Sequence, residues 1–371
     1  MHHPDSRAVG ARTERLPLDF AEVTPEWLTR TLQPRFPGLV VHGIEPLMFT
    51  YGIAGHKRHI ARVRLDLNQA GKDAGLSAQV CLKANWSGLK RSSPVCVNEA
   101  RFYRDLASKF AVPTPNCYYA DFDDDDQGQQ GLIVMEDLVP QGGEFCTSAR
   151  PIGVDDMARS LEGLARMHGS SWGSPELGRH AWLQTAMAPE TVTDDYWGMM
   201  EEYVARFNVL PERIAIFPRL MKGDPYRLRA AFKQQCLLEQ AYQGPLCLIH
   251  GDAHLGNSYR RPNGERVWFD WQIVRKGRPW RDVAYFLIGS ITIEDRRKAE
   301  RDLLKVYLEG LAAQGIQVSF DEMWEQYRRM VIWGLVSWQA NLNAQEETMG
   351  PLERFCRAAD DLETHTLFKL D

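Results

Sequence analysis

Residues 250–257, HGDAHLGN, place two histidines, an aspartate and an asparagine directly after the apolar residues CLI. A further aspartate, Asp270, follows after a short turn. Polar side chains at the end of a buried strand are costly unless they are hydrogen-bonded or used in function. Carboxylate and amide oxygens suit Mg²⁺ bound together with substrate phosphates, whereas histidines beside an aspartate could serve a metal-dependent hydrolase. The stretch therefore indicates metal or phosphate chemistry.

The dipeptide Asn263-Gly264 lies between two segments that can be extended. Asn-Gly is the strongest short signal for a hairpin with a two-residue loop. If these two residues form the loop, Asn257 faces Asp270 at the open end of the hairpin. The pairing predicts that an amide oxygen and a carboxylate meet at one place, with Asp252 on the preceding loop, where it could act as a base.

The elements that must position these residues begin with a β-rich half. Thr24 and Pro25 predict the N-cap and the first residue of a short helix. ARVRLDL alternates like a half-buried strand, AQVCLKAN is a second strand that carries Lys83, and NEARFYRDLASKF has helical spacing. CYYADF and GLIVMEDL predict a hairpin whose tip is the acidic run DDDDQGQQ, interpreted as a solvated loop.

The β-rich pattern ends near Leu138, before the glycine-rich connection VPQGGEF. From about residue 150 the pattern is helical, as in GVDDMARSLEGLARMHGSSW and DEMWEQYRRMVIWGLVSWQANL. We therefore predict an α+β fold with two lobes. Residues 1–138 form a β-rich N-terminal lobe, with about the first 20 residues loosely ordered, and residues 139–371 form a mainly helical C-terminal lobe with one embedded hairpin.

Composition excludes some classes of protein. A net charge of −5 over 371 residues is not that of a dedicated nucleic-acid binder. The N-terminal segment has no apolar core of a secretory signal, and no run of about 18 apolar residues predicts a membrane span. The seven cysteines have no C-x-x-C spacing and indicate free thiols in a reducing compartment. We expect a cytoplasmic protein.

HGDAHLGN followed by FDWQ resembles the catalytic core of the aminoglycoside phosphotransferase and choline kinase family, a small-molecule branch of the protein-kinase-like fold. NEARFYRDLA, LIVMEDL and DVAYFL are similar to the ecdysteroid-kinase-like branch, and the resemblance covers roughly residues 40–360. It implies a bilobal protein-kinase-like fold with an N-terminal nucleotide-binding lobe and a C-terminal lobe for catalysis and acceptor binding.

The resemblance implies ATP and Mg²⁺ as cofactors and gives the chemistry to three residues. Asp252 would orient the acceptor hydroxyl and take its proton, while Asn257 and Asp270 would hold Mg²⁺ against the phosphates. Phosphoryl transfer depends mainly on positioning and charge neutralisation, which such a set supplies. The implied activity is ATP-dependent transfer of the γ-phosphate to a hydroxyl of a small molecule.

The resemblance also assigns residues to nucleotide binding and to support of the site. Lys83 would contact the α- and β-phosphates and pair with Glu99, 16 residues farther along. The other nucleotide-binding residues are the adenine hinge at Met135, Glu136 and Leu138 and the glycine turn at Gly52 and Gly55, which lacks the full G-x-G-x-x-G pattern. The supporting residues are His250, His254 and Asp282.

The chain departs from protein kinases at three points. Gly251 replaces the arginine after the catalytic-loop histidine, Trp271-Gln272 follows the metal aspartate, and no A-P-E motif follows that aspartate along the chain. We therefore expect a small hydroxylated acceptor and no protein substrate. Nine of the 11 tryptophans lie at or beyond Trp172, and Trp333 and Trp338 are candidates for acceptor contact.

Two other functions remain open at this point. A metallophosphoesterase would need further histidine and aspartate motifs, and no separate D-x-H, G-N-H or G-H-x-H run occurs. A catalytically silent nucleotide-binding relative would be expected to lack Asp252, Asn257, Asp270 or Lys83, yet all four are present. The identity of the acceptor (aminoglycoside, choline-like, sugar or lipid alcohol), ATP against GTP, and the oligomeric state do not follow from the sequence.

Overall fold

The computed structural model describes residues 15–51, 58–86, 95–125, 128–189, 192–207, 209–340 and 346–369. They belong to two compact units, Met1–Gly143 with Val267–Ile273 and Glu144–Arg266 with Val274–Asp371. The predicted glycine turn at Gly52 and Gly55 and the N-terminal 14 residues lie outside the described residues.

The first unit contains a five-stranded antiparallel sheet with the order β1-β2-β3-β5-β4. Its strands are β1 Val41–Tyr51, β2 Arg58–Leu67, β3 Gln79–Ala84, β4 Cys117–Asp125 and β5 Gly128–Glu136. Its helices are α1 Pro25–Leu32, α2 Gln69–Asp73 and α3 Val95–Asp105.

The cap of α1 and the alternation of buried and exposed residues along β2 agree with the sequence patterns. The Thr24 hydroxyl accepts a hydrogen bond from the amide of Trp27, so it caps α1, and Pro25 is the first helical residue. Along β2, Val63, Leu65 and Leu67 are buried and the residues between them are more exposed, because successive side chains of a strand point to opposite faces.

The acidic run is not the loop that its charge predicts. β4 continues to Asp125 and β5 starts at Gly128, with Asp123 paired to Gln130 and Asp125 to Gly128. Backbone ladder bonds hold these residues in extended conformation, and the alternation of a strand allows carboxylates to face solvent without a loop. The prediction of a solvated loop is therefore wrong for residues 123–125 and 128–130, which lie in the two strands of the predicted hairpin, while residues 126–127 lie outside the described residues.

The second unit is mainly helical. Its helices are α4 Val154–Ser171, α5 Asp194–Phe207, α6 Pro211–Ile214, α7 Tyr226–Ala241, α8 Trp280–Ser290, α9 Ile293–Ala312, α10 Phe320–Gln339, α11 Glu346–Asp361 and α12 Thr364–Leu367. Its short strands are β6 Glu144–Phe145, β7 Cys247–Ile249, β8 Ser258–Arg260, β9 Arg266–Trp268, of which only Arg266 belongs to this unit, and β10 Arg275–Gly277. β10 pairs with β7, and β6 pairs with β8, both antiparallel.

The predicted α+β division into a β-rich N-terminal part and a mainly helical C-terminal part is confirmed. All seven cysteines are free thiols, as expected from their spacing. In the described part of the chain, no helix has the length and apolarity needed to span a bilayer.

The turn between β8 and β9 differs from the two-residue loop that Asn263-Gly264 predicts. The amide of Gly264 donates to the carbonyl of Arg261 at 2.9 Å, and the amide of Arg261 donates to the carbonyl of Glu265 at 2.8 Å. Gly264 has φ +85°. Arg261 therefore faces Glu265 across a three-residue loop, which is a type I turn closed by a glycine in the left-handed region.

The physical reason is Pro262. In a two-residue loop, residues 262 and 265 would exchange two backbone hydrogen bonds, and the one that the amide of residue 262 would donate to the carbonyl of residue 265 cannot form because proline has no amide proton. Its fixed φ instead suits the second position of a type I turn. The predicted register is therefore wrong by one position, and the facing of Asn257 and Asp270 does not follow from it.

Candidate active site

Lys83 lies on β3 in the first unit and is held by two carboxylates. Its Nζ is 2.7 Å from Oε2 of Glu99, on α3, and 2.8 Å from Oδ1 of Asp270. The side chains of Lys83 and Glu99 are 10% and 1% exposed, whereas that of Asp270 is 38% exposed. The expected Lys83–Glu99 pair is present, and Asp270 extends it to a triad.

This triad keeps Lys83 charged. Burial alone would lower its pKa, but the charges and hydrogen bonds of Asp270 and Glu99 outweigh burial and raise the pKa above its ordinary value of 10.5. Lys83 therefore presents a fixed positive charge beside the more exposed carboxylate of Asp270.

The segment around Asp270 is fixed by its neighbours within the same unit. Asp270 has φ +65°, a left-handed conformation that is uncommon for a residue with a side chain and is found mostly at turns and functional sites. The amide of Trp271 donates to Oε1 of Glu99, and its indole ring stacks on Phe102 with centroids 4.1 Å apart. Glu99 thus binds Lys83 through one oxygen and the backbone next to Asp270 through the other.

The predicted hinge lies at the end of β5. Met135, Glu136 and Leu138 are all buried. The Glu136 carboxylate accepts hydrogen bonds from the amide and side chain of Asn116 at 3.1 and 3.2 Å, and Asp137 forms an ion pair with Arg62 at 2.9 Å. These contacts fix the backbone of the segment, which is the part that would bind an adenine base.

The second unit carries the loop of Asp252, which follows β7. Gly251 has φ +86°, so the turn into Asp252 needs a residue without a β-carbon. The amide of Asp252 donates to Nδ1 of His250 at 3.2 Å, and His250 is fully buried. His250 is therefore hydrogen-bonded to the backbone of the loop that it precedes.

Asp282, in the first turn of α8, anchors the same loop. Its Oδ2 accepts from the amide of His250 at 2.6 Å, and its Oδ1 accepts from the amide of Gly251 at 3.0 Å. Nε2 of His168 lies 3.4 Å from Oδ2. Burial alone would raise the pKa of Asp282, but the contact with His168 and the amide of Gly251 keep it below its ordinary value, so the anchor is charged.

Asp252 and Asn257 are in direct contact. Nδ2 of Asn257 donates to the carbonyl of Asp252 at 3.0 Å and to its Oδ2 at 3.2 Å. The Asn257 amide nitrogen faces Asp252, so its oxygen points to the other side. His254 places Nε2 at 3.7 Å from Oδ2 of Asp252.

Three residues that contact this loop were not predicted from the sequence. Arg281 is buried, donates to the carbonyl of Gly251 at 2.7 Å and lies over the Trp333 ring at 3.4 Å from its centroid. The Tyr285 side chain is buried near Asp252, and burial together with the charge of Asp252 raises the pKa of its hydroxyl well above the ordinary value. The Ser148 hydroxyl lies 3.2 Å from Nδ1 of His254.

A tyrosine three residues after an anchoring aspartate lies on the same helix face, which is the only signal in the sequence for Tyr285. No signal predicts Ser148, which is 106 residues from His254.

Each unit carries one of the two residues predicted to hold Mg²⁺, Asn257 in the second unit and Asp270 in the first. Among the described residues, no group of three or more histidine, cysteine, aspartate and glutamate side chains could hold a metal ion. Mg²⁺ needs only one or two protein oxygens together with water and substrate phosphates. The oriented amide group of Asn257 and the partly exposed carboxylate of Asp270 each carry an oxygen of the kind that Mg²⁺ binds.

The first unit has a five-stranded sheet whose buried lysine pairs with a glutamate on a helix, and the second, helical unit carries an HGD loop. These features are those of a kinase-like protein. The chain belongs to the ecdysteroid kinase-like family, which matches residues 59–319. No curated protein sequence matches the chain significantly.

Several solved structures are similar to the chain at low sequence identity. A choline/ethanolamine kinase family protein from Mesorhizobium loti is 14% identical, with 92% of this chain and 98% of that chain covered and a TM-score of 0.49. The choline kinase LicA from Streptococcus pneumoniae is 14% identical, with coverages of 91% and 99% and a TM-score of 0.46. The macrolide 2'-phosphotransferase MphH from Brachybacterium faecium is 15% identical, with coverages of 84% and 92% and a TM-score of 0.40.

Proposed function

We propose that the protein is an ATP-dependent O-phosphotransferase that moves the γ-phosphate of ATP to a hydroxyl group of a small molecule. The observation that carries the proposal is the triad of Lys83, Glu99 and Asp270. Buried ion pairs add little stability compared with a well-packed apolar cluster. A buried, charged lysine between two carboxylates is therefore better explained by a need for its charge than by a need for stability.

In the proposed reaction, residues 1–138 bind the nucleotide. Lys83 binds the α- and β-phosphates, and Glu99 keeps its ammonium group in place. The backbone at Met135, Glu136 and Leu138 binds the adenine, and Gly52 and Gly55 are the residues proposed to contact the phosphates. These groups hold the γ-phosphate in one orientation, and positioning is the larger part of catalysis in phosphoryl transfer.

The loop of Asp252, within residues 139–371, acts on the acceptor. Asp252 orients the acceptor hydroxyl and accepts its proton while the oxygen attacks the γ-phosphorus, and ADP leaves. Its side chain is 33% exposed, which leaves room for an incoming hydroxyl group. Asp282 and His250 hold the loop, so Asp252 keeps its orientation during the transfer.

Asn257 and Asp270 are the residues proposed to hold Mg²⁺. When bound, the ion neutralises charge on the phosphates. Within their own units, Asn257 is oriented by Asp252 and Asp270 by Lys83, so each ligand oxygen is positioned before the nucleotide arrives.

Asp252→Asn tests the proposal. ADP release is measured with MgATP and a panel of hydroxylated acceptors that includes an aminoglycoside, choline, a sugar and a sterol. We expect at least one acceptor to stimulate ADP release, and Asp252→Asn to lower kcat by about 10²–10⁴-fold, the usual contribution of a positioned base. Nucleotide binding, measured by calorimetry, should persist because the triad of the first unit is untouched.

The matched control is Asp302→Asn, which removes a carboxylate of the same size from an exposed position on α9. It should leave kcat unchanged. Turnover that survives in Asp252→Asn, or that is independent of Mg²⁺, contradicts the proposed mechanism. Nucleotide binding with no turnover on any acceptor would identify a catalytically silent relative, and phosphate release from a simple monoester without nucleotide would identify a phosphoesterase.

A further inference from the structure

Ser148 lies between β6 and α4 and is connected to His254. Its Oγ accepts a hydrogen bond from the amide of Gly256 at 3.3 Å and lies 3.2 Å from Nδ1 of His254. Because the amide proton already occupies one side of the oxygen, the hydroxyl proton is available to donate to Nδ1. An imidazole that accepts at Nδ1 and is neutral carries its proton on Nε2.

Nε2 of His254 is directed to the proposed base. It lies 3.7 Å from Oδ2 of Asp252, the same oxygen that accepts from Nδ2 of Asn257. The separation is longer than a hydrogen bond, and contacts of this kind in ligand-free sites often shorten when substrate binds. Nδ2 of Asn257 already donates to this oxygen, and a small approach of Nε2 of His254 would give it a second donor that restricts rotation of the carboxylate.

The geometry points to a relay. We propose that Ser148 and His254 are positioning residues that fix the carboxylate of Asp252, with Ser148 selecting the Nε2–H form of His254 and His254 orienting Oδ2. The proposal rests on the proposed function, because it concerns the residue assigned as base. The other groups that face Asp252 are the Tyr285 hydroxyl and the charge of Arg281.

The space around the relay is closed by close packing. A β-carbon at Gly256 would lie 2.9 Å from Cε1 and 3.0 Å from Nδ1 of His254, and 3.2 Å from Oγ of Ser148. The backbone of Ser148 is held by Arg354, whose Nη1 donates to the Ser148 carbonyl at 3.1 Å. Close packing at Gly256 and the bond from Arg354 therefore fix the positions of Ser148 and His254.

The relay is not a fully buried structural network. Ser148 is 6% exposed, but the side chains of His254 and Asp252 are 22% and 33% exposed. Trp338 lies edge-on to the His254 ring, with centroids 5.5 Å apart. The relay thus runs from a buried hydroxyl to a carboxylate that solvent, and hence an acceptor, can reach.

Two kinds of measurement test the relay. The ring nitrogen shifts of His254 in ¹⁵N NMR, assigned by loss of the signal in His254→Gln, should show the Nε2–H form in the wild type and a mixture of both forms in Ser148→Ala. This readout does not require turnover. A purely structural role of Ser148 would change thermal stability but not the balance between the two imidazole forms.

In steady-state kinetics, Ser148→Ala should lower kcat by about tenfold, the equivalent of one hydrogen bond, with the KM for ATP unchanged. His254→Ala should lower kcat by more, and His254→Gln, which keeps a donor near the position of Nε2, should recover part of the loss. In the double variant Ser148→Ala/His254→Ala, kcat should equal that of His254→Ala, because Ser148 acts through His254. Gly256→Ala should resemble Ser148→Ala, since its β-carbon enters the relay.

Ser170→Ala is the control. It removes a hydroxyl from α4 that donates to the carbonyl of Met167 at 2.9 Å, and it should leave kcat and the NMR signal of His254 unchanged. An Nδ1–H or doubly protonated His254 in the wild type overturns the relay, as does an unchanged kcat in Ser148→Ala. Absence of turnover in the wild type on every acceptor would instead refute the proposed function, while the NMR result would still decide the relay.

Discussion

Replacing Asp282 by asparagine should lower the free energy of unfolding of the second unit strongly, although it changes the shape of the side chain very little. Asp282→Asn keeps the volume of the side chain and removes its charge. An asparagine whose oxygen takes the place of Oδ2 would still accept from the amide of His250 at 2.6 Å and face His168. Its NH₂ group would then face the amide of Gly251, which now donates to Oδ1 at 3.0 Å.

The cost follows from this geometry. One hydrogen bond to a charged acceptor is lost, worth about 1.5–3 kcal/mol, and the buried amide of Gly251 is left without an acceptor, which costs about 1–3 kcal/mol more. We expect Asp282→Asn to lower the free energy of unfolding by about 3–5 kcal/mol. For a unit of this size, that corresponds to a decrease in Tm of about 6–20 °C.

Urea unfolding followed by circular dichroism measures this loss. The midpoint should fall while the dependence on urea concentration stays the same, because the folded surface is unchanged. Asp302→Asn, which removes an exposed carboxylate from a surface pair with Lys305, should change stability by less than about 1 kcal/mol. A loss below about 1 kcal/mol in Asp282→Asn would refute the view that the charge of Asp282 holds the loop of Asp252.

Three further predictions concern the first unit. Lys83→Met should lower kcat/KM for ATP and destabilise the protein by about 3–5 kcal/mol, because Glu99 is left buried without its cation. The double variant Lys83→Met/Glu99→Gln should recover stability but not activity. Since the pKa of Lys83 is raised in the folded state, its contribution to stability should be lost only as the pH rises above about 10.5. The difference in urea midpoint between wild type and Lys83→Met should therefore be constant from pH 7 to 10 and narrow at higher pH. Narrowing below pH 9 would contradict the raised pKa of Lys83. Gly131→Ala should lower the urea midpoint by the equivalent of about 3 kcal/mol, because its β-carbon would lie 2.0 Å from the carbonyl oxygen of Cys96. In the control Gly43→Ala, the β-carbon has its nearest neighbour at 3.7 Å, so the loss of stability should be less than about 1 kcal/mol. Equal losses in the two variants would refute the steric argument.

Contacts that depend on local periodicity were predictable from the sequence. The alternation along β2 and the cap at Thr24 need only neighbouring residues. The pair of Lys83 and Glu99 follows from a strand-to-helix step together with the family resemblance.

Contacts that depend on turn chemistry or on distant residues were harder to predict. Asn263-Gly264 predicts one register in isolation, but the missing amide proton of Pro262 favours another. Ser148 reaches His254 across 106 positions, and nothing in either local pattern specifies that the two will meet. The contacts of the site residues depend on such long-range placement. The sequence therefore indicates the chemistry of these residues but not which residues they contact.

The first unit is made of two separate pieces of chain, and this affects when it can be completed during synthesis. Lys83 and Asp270 are 187 positions apart. At a translation rate of 5–20 residues per second, Asp270 leaves the ribosome roughly 10–40 s after Lys83. During that interval the nascent sheet has Glu99 as a partner for Lys83, but it lacks Asp270 and the ring of Trp271 that covers Phe102. The first unit therefore becomes complete only after much of the helical unit has been made, and a fragment that stops at residue 143 should remain unfinished however long it is given to fold.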